Sequence, residues 1–360
     1  MSNDKLMQNY LIKKSICLFC SLGCGVAFRA EGDKITALDY DMENPVNHGS
    51  LCPKGHKNIE ILNHPQRLTQ PRMGKKETSW EAVTTFIRQE LKLFKPNEIG
   101  ICLSAYSSNE DALKVAEWAQ GAGIANLCVV GDPINEEMDP ATLEDIDTAD
   151  ALLIYGDILD LTPVLSKRVN HVKYGRRGNR IVVVDEKTTH TTWFATDRIK
   201  QKPAGKIAAF ANSKSGAIIF AGTPEDAVPG YTDKKRITFY PRGNALGVNK
   251  MVQNKIPYAE MLKKIEGGEM KALLMLGEDV CTVTPAIERK IKMLKLVVCA
   301  DYFTGPSKTE ADTSILLPLA SQFESGGTYL LSGGREVSLA PIAPRVGSKT
   351  NAEIVETLHG

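Results

Sequence analysis

The sequence predicts an α/β protein: a small β-rich unit near the amino terminus, then doubly wound, mostly parallel α/β lobes. Three patterns carry the prediction. Apolar runs in "ALLIYGD", "RIVVVDE", "GAIIFAG", "KALLMLGED" and "KLVVCAD" end at glycine or aspartate, as strands of a parallel sheet covered on both faces do. Segments of helical spacing separate these runs, which is the alternation an α/β sheet requires. Ahead of them, "GVAFRA" and "KITALDY" are short alternating strands joined by "EGDK", whose glycine and charges suit a hairpin turn.

Taken in order, residues 13 to about 40 read as this small antiparallel unit. After "HPQRLTQPRM" the period changes. "SWEAVTTFIRQELKLF" has helical spacing, with Ser79 as N-cap and Ala82, Val83, Phe86, Ile87, Leu91 and Phe94 on one side. The strand "EIGICLSA" and the helix "NEDALKVAEWAQGAG" follow. The later helices are "PVLSKRVNHVKYGRRG", "YAEMLKKIEGG" and "AIERKIKML", while "TPEDAVPGYTDKKR" is rich in turn formers and reads as a polar surface loop. The end returns to a strand, a turn-rich stretch and a short helix. This gives an expected division into residues 1–72, a lobe of 73–130 plus 206–360, and a reduced second lobe of 131–205.

A chain of 360 residues is long enough for two or three such lobes. Its 44 lysines and arginines balance 43 acidic residues, so no electrostatic footprint points to nucleic acid or an anionic membrane. The first residues, "MSNDKLMQNYLIKKSIC", lack the apolar core of a secretion signal, and no apolar run is long enough to span a bilayer. A cytoplasmic chain without membrane insertion is expected. In a reducing compartment its eight cysteines point to metal or redox chemistry rather than disulfides. Cys102, Cys128 and Cys299 each sit in a short β-rich apolar run and read as small buried hydrophobes. Cys281 lies just past a strand end and suggests no role.

The remaining four form the pattern C-x2-C-x3-C-x27-C, as Cys17, Cys20, Cys24 and Cys52. Four thiolates hold either a tetrahedral zinc ion or a 4Fe–4S cubane. Structural zinc sites usually take two cysteines from each of two knuckles; three from one loop and one from afar suits the wider cubane better. Gly23 and Gly25 flank Cys24, which fits a sharply bent loop offering N–H groups to the sulfides. Lys54, two residues past Cys52, is a cation that would stabilise a reduced, more negative cluster, or a plain solvated charge.

That spacing, together with "CPKG", "NPVNHGSLC", "HPQRLTQP" and "SWEAV", resembles the start of the molybdopterin oxidoreductase family, which includes formate dehydrogenase catalytic subunits, periplasmic nitrate reductases and the large iron–sulfur subunit of respiratory complex I. The resemblance implies a small β-rich domain carrying 4Fe–4S, with Lys54 in the place of the lysine lying between cluster and pterin. It extends through "DIDTADALLIYGD", "RIVVVDEKTTHTTWFATDRIKQKPAG", "KALLMLGEDV", "KTEADTSILLPLASQFESGGTY" and "GREVSLAP", in the family's order.

The departures bear on function. Where the family places a selenocysteine, cysteine or serine ligand for molybdenum or tungsten, this chain runs "IANLCVVGDPINEEMDPATLEDIDTAD": Cys128 stands in a shortened, altered segment and no histidine follows. At the pterin contacts, the family's glycine–asparagine becomes Gly156-Asp157, its "DPR" becomes Asp185-Glu186-Lys187, and a later "GTD" becomes Gly205-Lys206. Asp157 and Glu186 would repel a pyrophosphate in a desolvated cleft. Asp185 keeps the residue type that binds a guanine edge, although both it and Gly156 also read as ordinary strand-end residues. The family's C-terminal barrel is missing, a truncation similar to that of the formylmethanofuran dehydrogenase subunit whose barrel comes from another polypeptide.

The expected function is a 4Fe–4S electron-transfer subunit of an anaerobic oxidoreductase, with partner subunits carrying flavin or further clusters and no molybdopterin or tungstopterin. Two alternatives stay open. One is a catalytic molybdenum or tungsten bis-pterin subunit with Cys128 as ligand; the other is a scaffold stapled by zinc.

Overall fold

The computed structural model describes residues 10–131, 134, 140–201, 207–222, 231, 234–305 and 314–359. Strands β1 (Leu11–Ile16), β2 (Gly25–Glu31) and β3 (Lys34–Asp39) pair antiparallel in that order, with Gly32 of the β2–β3 turn at φ +59°. Two short helices, α1 (Pro53–His56) and α2 (Asn58–Asn63), complete this part.

A brief hairpin, β4 (Arg72–Met73) and β5 (Lys76–Glu77), leads into α3 (Trp80–Leu91), β6 (Ile99–Leu103), α4 (Asn109–Gly121) and β7 (Asn126–Val129). Helix α3 starts where the sequence places it: the Ser79 hydroxyl accepts from the Ala82 amide at 3.2 Å, and Val83 and Ile87 are buried on its inner side. The chain then builds a second sheet from α5 (Leu143–Asp147), β8 (Ala151–Tyr155), α6 (Ile158–Leu161), α7 (Ser166–Gly175), β9 (Arg180–Val184), α8 (His190–Phe194), β10 (Asp197–Ile199), α9 (Ala208–Ala211), β11 (Ala217–Ala221) and β12 (Arg236–Phe239). It returns through α10 (Ala245–Met251), α11 (Tyr258–Glu266), β13 (Ala272–Leu276), α12 (Val280–Val283), α13 (Glu288–Ile291), β14 (Leu296–Asp301) and β15 (Ser314–Pro318). Helix α14 (Gln322–Ser325), the hairpin β16 (Gly327–Leu331) and β17 (Arg335–Leu339), and α15 (Asn351–Leu358) close the described chain.

The larger sheet has the order β5-β4-β15-β14-β13-β6-β7, parallel from β15 to β7; the smaller, β10-β9-β8-β11-β12, is parallel throughout. Every residue of β6, β8, β13 and β15 is buried. Covered on both faces, these strands have no polar side to alternate with, which is why the sequence reads as unbroken apolar runs. Among the described residues there is no closed barrel, and no helix is long and apolar enough to cross a membrane.

The sheets divide the chain differently from the expected boundary at 205/206. Strands β11 and β12 pair with β8 rather than with the larger sheet, so the second lobe runs to Phe239. A buried strand without alternation carries no mark of which sheet it joins. Most of "TPEDAVPGYTDKKR" lies outside the described residues, as do Gly205 and Lys206; its Tyr231 is buried, donating from its hydroxyl to the Ile207 carbonyl at 3.1 Å.

In each sheet the chain order reverses at one place, between β6 and β13 and between β8 and β11. Loops leaving these strand ends diverge, and the crevice they open beyond the carboxyl edge is where α/β sheets receive ligands.

Candidate metal centre and neighbouring crevices

The cysteine loop begins as β1 ends. The Cys17 amide donates to the Cys24 carbonyl at 2.8 Å, and the amide of Gly23, at φ +63°, donates to the Cys20 carbonyl at 3.3 Å. This closes Cys17, Cys20 and Cys24 into one tight turn that needs a left-handed residue at Gly23. Asn47 then joins the two cysteine-bearing segments: its Oδ1 accepts from the Gly25 amide at 2.8 Å while its Nδ2 donates to the Gly25 and Ser50 carbonyls at 3.0 and 2.8 Å. Cys52 is the N-cap of α1, its Sγ accepting from the Gly55 amide at 3.4 Å, with Pro53 at the first helical position.

The structure brings all four cysteines and Lys54 to the wall of a single cavity, closed on its far side by the Leu161 to Val164 segment. Cys17 and Cys24 are buried; Cys20 and Cys52 are half-buried; Lys54 is exposed. Burial pushes the Cys17, Cys20 and Cys24 thiols up, Cys20 to about 12, and the neighbouring cysteines add to the effect, whereas the Lys54 charge draws Cys20 back down. Such thiols give up their protons only when a metal charge replaces the lost solvation. Among the described residues no three His, Cys, Asp or Glu side chains converge on a position for one metal ion.

The loop is also clasped from a distant part of the chain. A relay of hydroxyls runs from the Tyr240 amide to Ser21 Oγ at 2.7 Å, from Ser21 Oγ to Ser332 Oγ at 2.5 Å, and from Ser332 Oγ to the Thr238 carbonyl at 2.5 Å. A Cβ on Gly23 would collide with Leu331 Cδ1. The β16–β17 hairpin therefore packs directly on the cysteines, and nothing in the local sequence of either segment announced it.

Gly156 and Asp185 lie at the carboxyl ends of the neighbouring strands β8 and β9, where Tyr155 and Val184 are in register. The amide of Gly156, at φ +81°, donates to the Val184 carbonyl at 3.1 Å. Asp185 Oδ1 accepts from the Lys187 amide at 2.9 Å, a local turn. Asp157 Oδ1 accepts from the Thr191 hydroxyl at 2.6 Å and amide at 3.3 Å, so its charge is held within the protein. The crevice of the larger sheet lies against the cysteine loop and is lined by Phe19, Asn58, Tyr106, Glu278, Asp301 and Tyr302. Glu278 accepts both hydrogen bonds of a fork from Arg242, at 2.7 and 2.9 Å. Sequence reasoning stopped at the strand ends "LGED" and "CAD" without seeing that they face one another.

Cys128 is fully buried in β7, its Sγ 3.5 Å from that of Cys102 on β6, and Cys281 and Cys299 are buried with them around Met275. These four thiols fill the core, and none of them lines the crevice of the larger sheet. Cys128 thus does not offer a sulfur to a metal held beyond the strand ends.

The family model for the molybdopterin oxidoreductase Fe4S4 domain matches residues 12–64, which contain all four clustered cysteines and Lys54. The chain thus carries an amino-terminal segment similar to that iron–sulfur domain. It is 25% identical to the alpha subunit of a formate dehydrogenase of Methanococcus maripaludis, across 61% of this chain and 35% of that one. It spans about a third of the length of the curated relatives it matches. In fold it is similar to acetylene hydratase from Pelobacter acetylenicus (TM-score 0.67, 13% identity, 96% of this chain and 68% of that one). It also resembles a chain of the formyltransferase/hydrolase complex of Methylorubrum extorquens (TM-score 0.54, 11% identity, 80% of this chain and 97% of that one).

Proposed function

We propose that this molybdopterin oxidoreductase relative is a cytoplasmic iron–sulfur electron-transfer subunit, working inside a larger anaerobic oxidoreductase and carrying no molybdenum or tungsten. One observation supports the reading most: four cysteines line a single cavity. The donor set fits a 4Fe–4S cluster, with Cys17, Cys20, Cys24 and Cys52 as ligands. When bound, that cluster supplies one-electron transfer. The chain's own part is to exclude water from Cys17 and Cys24, to donate an amide from Gly55 to Cys52, and to keep the Lys54 charge at the cavity wall. With no free thiol lining the crevice of the larger sheet, a pterin-bound metal there would lack its sulfur ligand from this chain. The α/β body then serves as scaffold, since a fold alone does not carry the chemistry of its relatives.

A lone cluster needs a donor and an acceptor. Partner subunits carrying flavin or further clusters follow, and the relative named as an alpha subunit and the neighbour named as part of a complex agree with that. Anaerobic purification from the native source, followed by elemental analysis, tests the proposal. Iron near ~4 equivalents per chain with neither molybdenum nor tungsten, and an EPR signal on reduction, is the expected result. Zinc in place of iron would end it.

The second reading is a catalytic bis-pterin subunit, and it draws on the crevice that persists beyond the carboxyl end of the larger sheet, with Gly277 at positive φ on its wall. Molybdenum or tungsten near one equivalent, with a fluorescent pterin released on acid oxidation, would select it.

A further inference from the structure

Arg335 opens β17, paired with Leu331 across the hairpin that covers the cysteine loop. Its Nη2 donates to the carbonyl of Leu22, two residues before Cys24. Its Nε is buried and has no hydrogen-bond partner. Interior N–H groups are nearly always satisfied, and an unmet donor on a guanidinium is costlier still. The charged groups that act on Arg335 are Cys24, whose thiolate favours the cation, and Arg168, which opposes it. An arginine keeps its charge under such conditions. The interior therefore holds a cation that the protein alone does not compensate, beside a cluster ligand.

We propose that Arg335 is a positioning residue for the iron–sulfur centre: its fixed charge and its unmet Nε donor face the Cys24 corner, where they stabilise the reduced, more negative state. The inference rests on the reading of the four cysteines as cluster ligands. Arg335 differs from Lys54 in a way that can be measured. Lys54 is exposed and its field is screened by salt, while the field of the half-buried Arg335 guanidinium is screened much less.

The test uses the full 360-residue chain, reconstituted anaerobically with iron and sulfide, as wild type, Arg335→Met and Arg335→Lys. Iron per chain and the midpoint potential from EPR-monitored titration are read at low and high salt. Arg335→Met should keep its iron and titrate at a more negative potential, by nearly the same interval at both salt concentrations, with Arg335→Lys staying near wild type. Full iron and an unmoved midpoint in Arg335→Met would overturn the proposal. Where Arg335→Met loses its iron, a fully loaded, unshifted Arg335→Lys upholds the role of the charge, and loss of iron from both variants shows a packing role only and overturns it. A wild-type chain that takes up no iron fails the preceding reading instead.

Discussion

Asp301 lies at the carboxyl end of β14, facing the crevice of the larger sheet, with Oδ1 accepting from the Tyr302 amide at 2.6 Å. Burial, followed by the nearby Asp279 and Glu278 carboxylates, lifts it from 3.8 to about 7. Between those values the folded chain keeps a proton that the unfolded chain has released. Folding stability should therefore fall as pH rises from about 4 to about 7 and level off above, by on the order of 2–4 kcal/mol. Asp301→Asn preserves the acceptor and imitates the neutral acid. Urea denaturation of both forms at pH 4.5 and pH 8 should show the variant gaining relative to wild type at the higher value, and parallel pH profiles would refute the assignment. At the cysteine cavity, Lys54→Ala should leave iron content intact and lower the midpoint potential, more so at low salt; an unchanged potential removes Lys54 from the site. Cys24→Ser should cost iron occupancy, and a fully loaded variant would mean that the ligands are misassigned.

Among the elements, the cysteine loop and the β16–β17 hairpin behave as one part. Gly23→Ala brings two penalties, a side chain at positive φ and a collision with Leu331, together about 1–3 kcal/mol. The expected outcome is a lower melting temperature of the apo chain and weaker iron retention, measured by differential scanning fluorimetry and iron assay; wild-type values would show that the hairpin yields freely. The sequence made several elements legible because their causes are local: Ser79 caps α3 through its own third neighbour, and "EGDK" turns β2 into β3. The four cysteines were legible for the same reason, three of them lying within eight positions. Arg335, Ser332 and the membership of β11 in the smaller sheet were not. Each depends on a partner far along the chain, and neither composition nor period encodes which partner that is.

For the whole molecule, the apolar core of the larger sheet excludes the four clustered cysteines, while the small amino-terminal sheet and one face of the smaller parallel sheet share a core with Cys17 and Cys24. Removing iron with a chelator under reducing conditions should loosen residues 12–64 and spare β6, β13 and β14. Hydrogen–deuterium exchange by mass spectrometry reads this directly; uniform protection in apo and loaded forms would show that the cluster contributes nothing to local folding.

The hydroxyl clasp between Ser21 and Ser332 joins positions 311 apart. During synthesis the cysteine turn leaves the ribosome well before the hairpin that covers it. Until β16 and β17 dock, the turn lacks both its hydroxyl clasp and the side chain of Leu331 against Gly23.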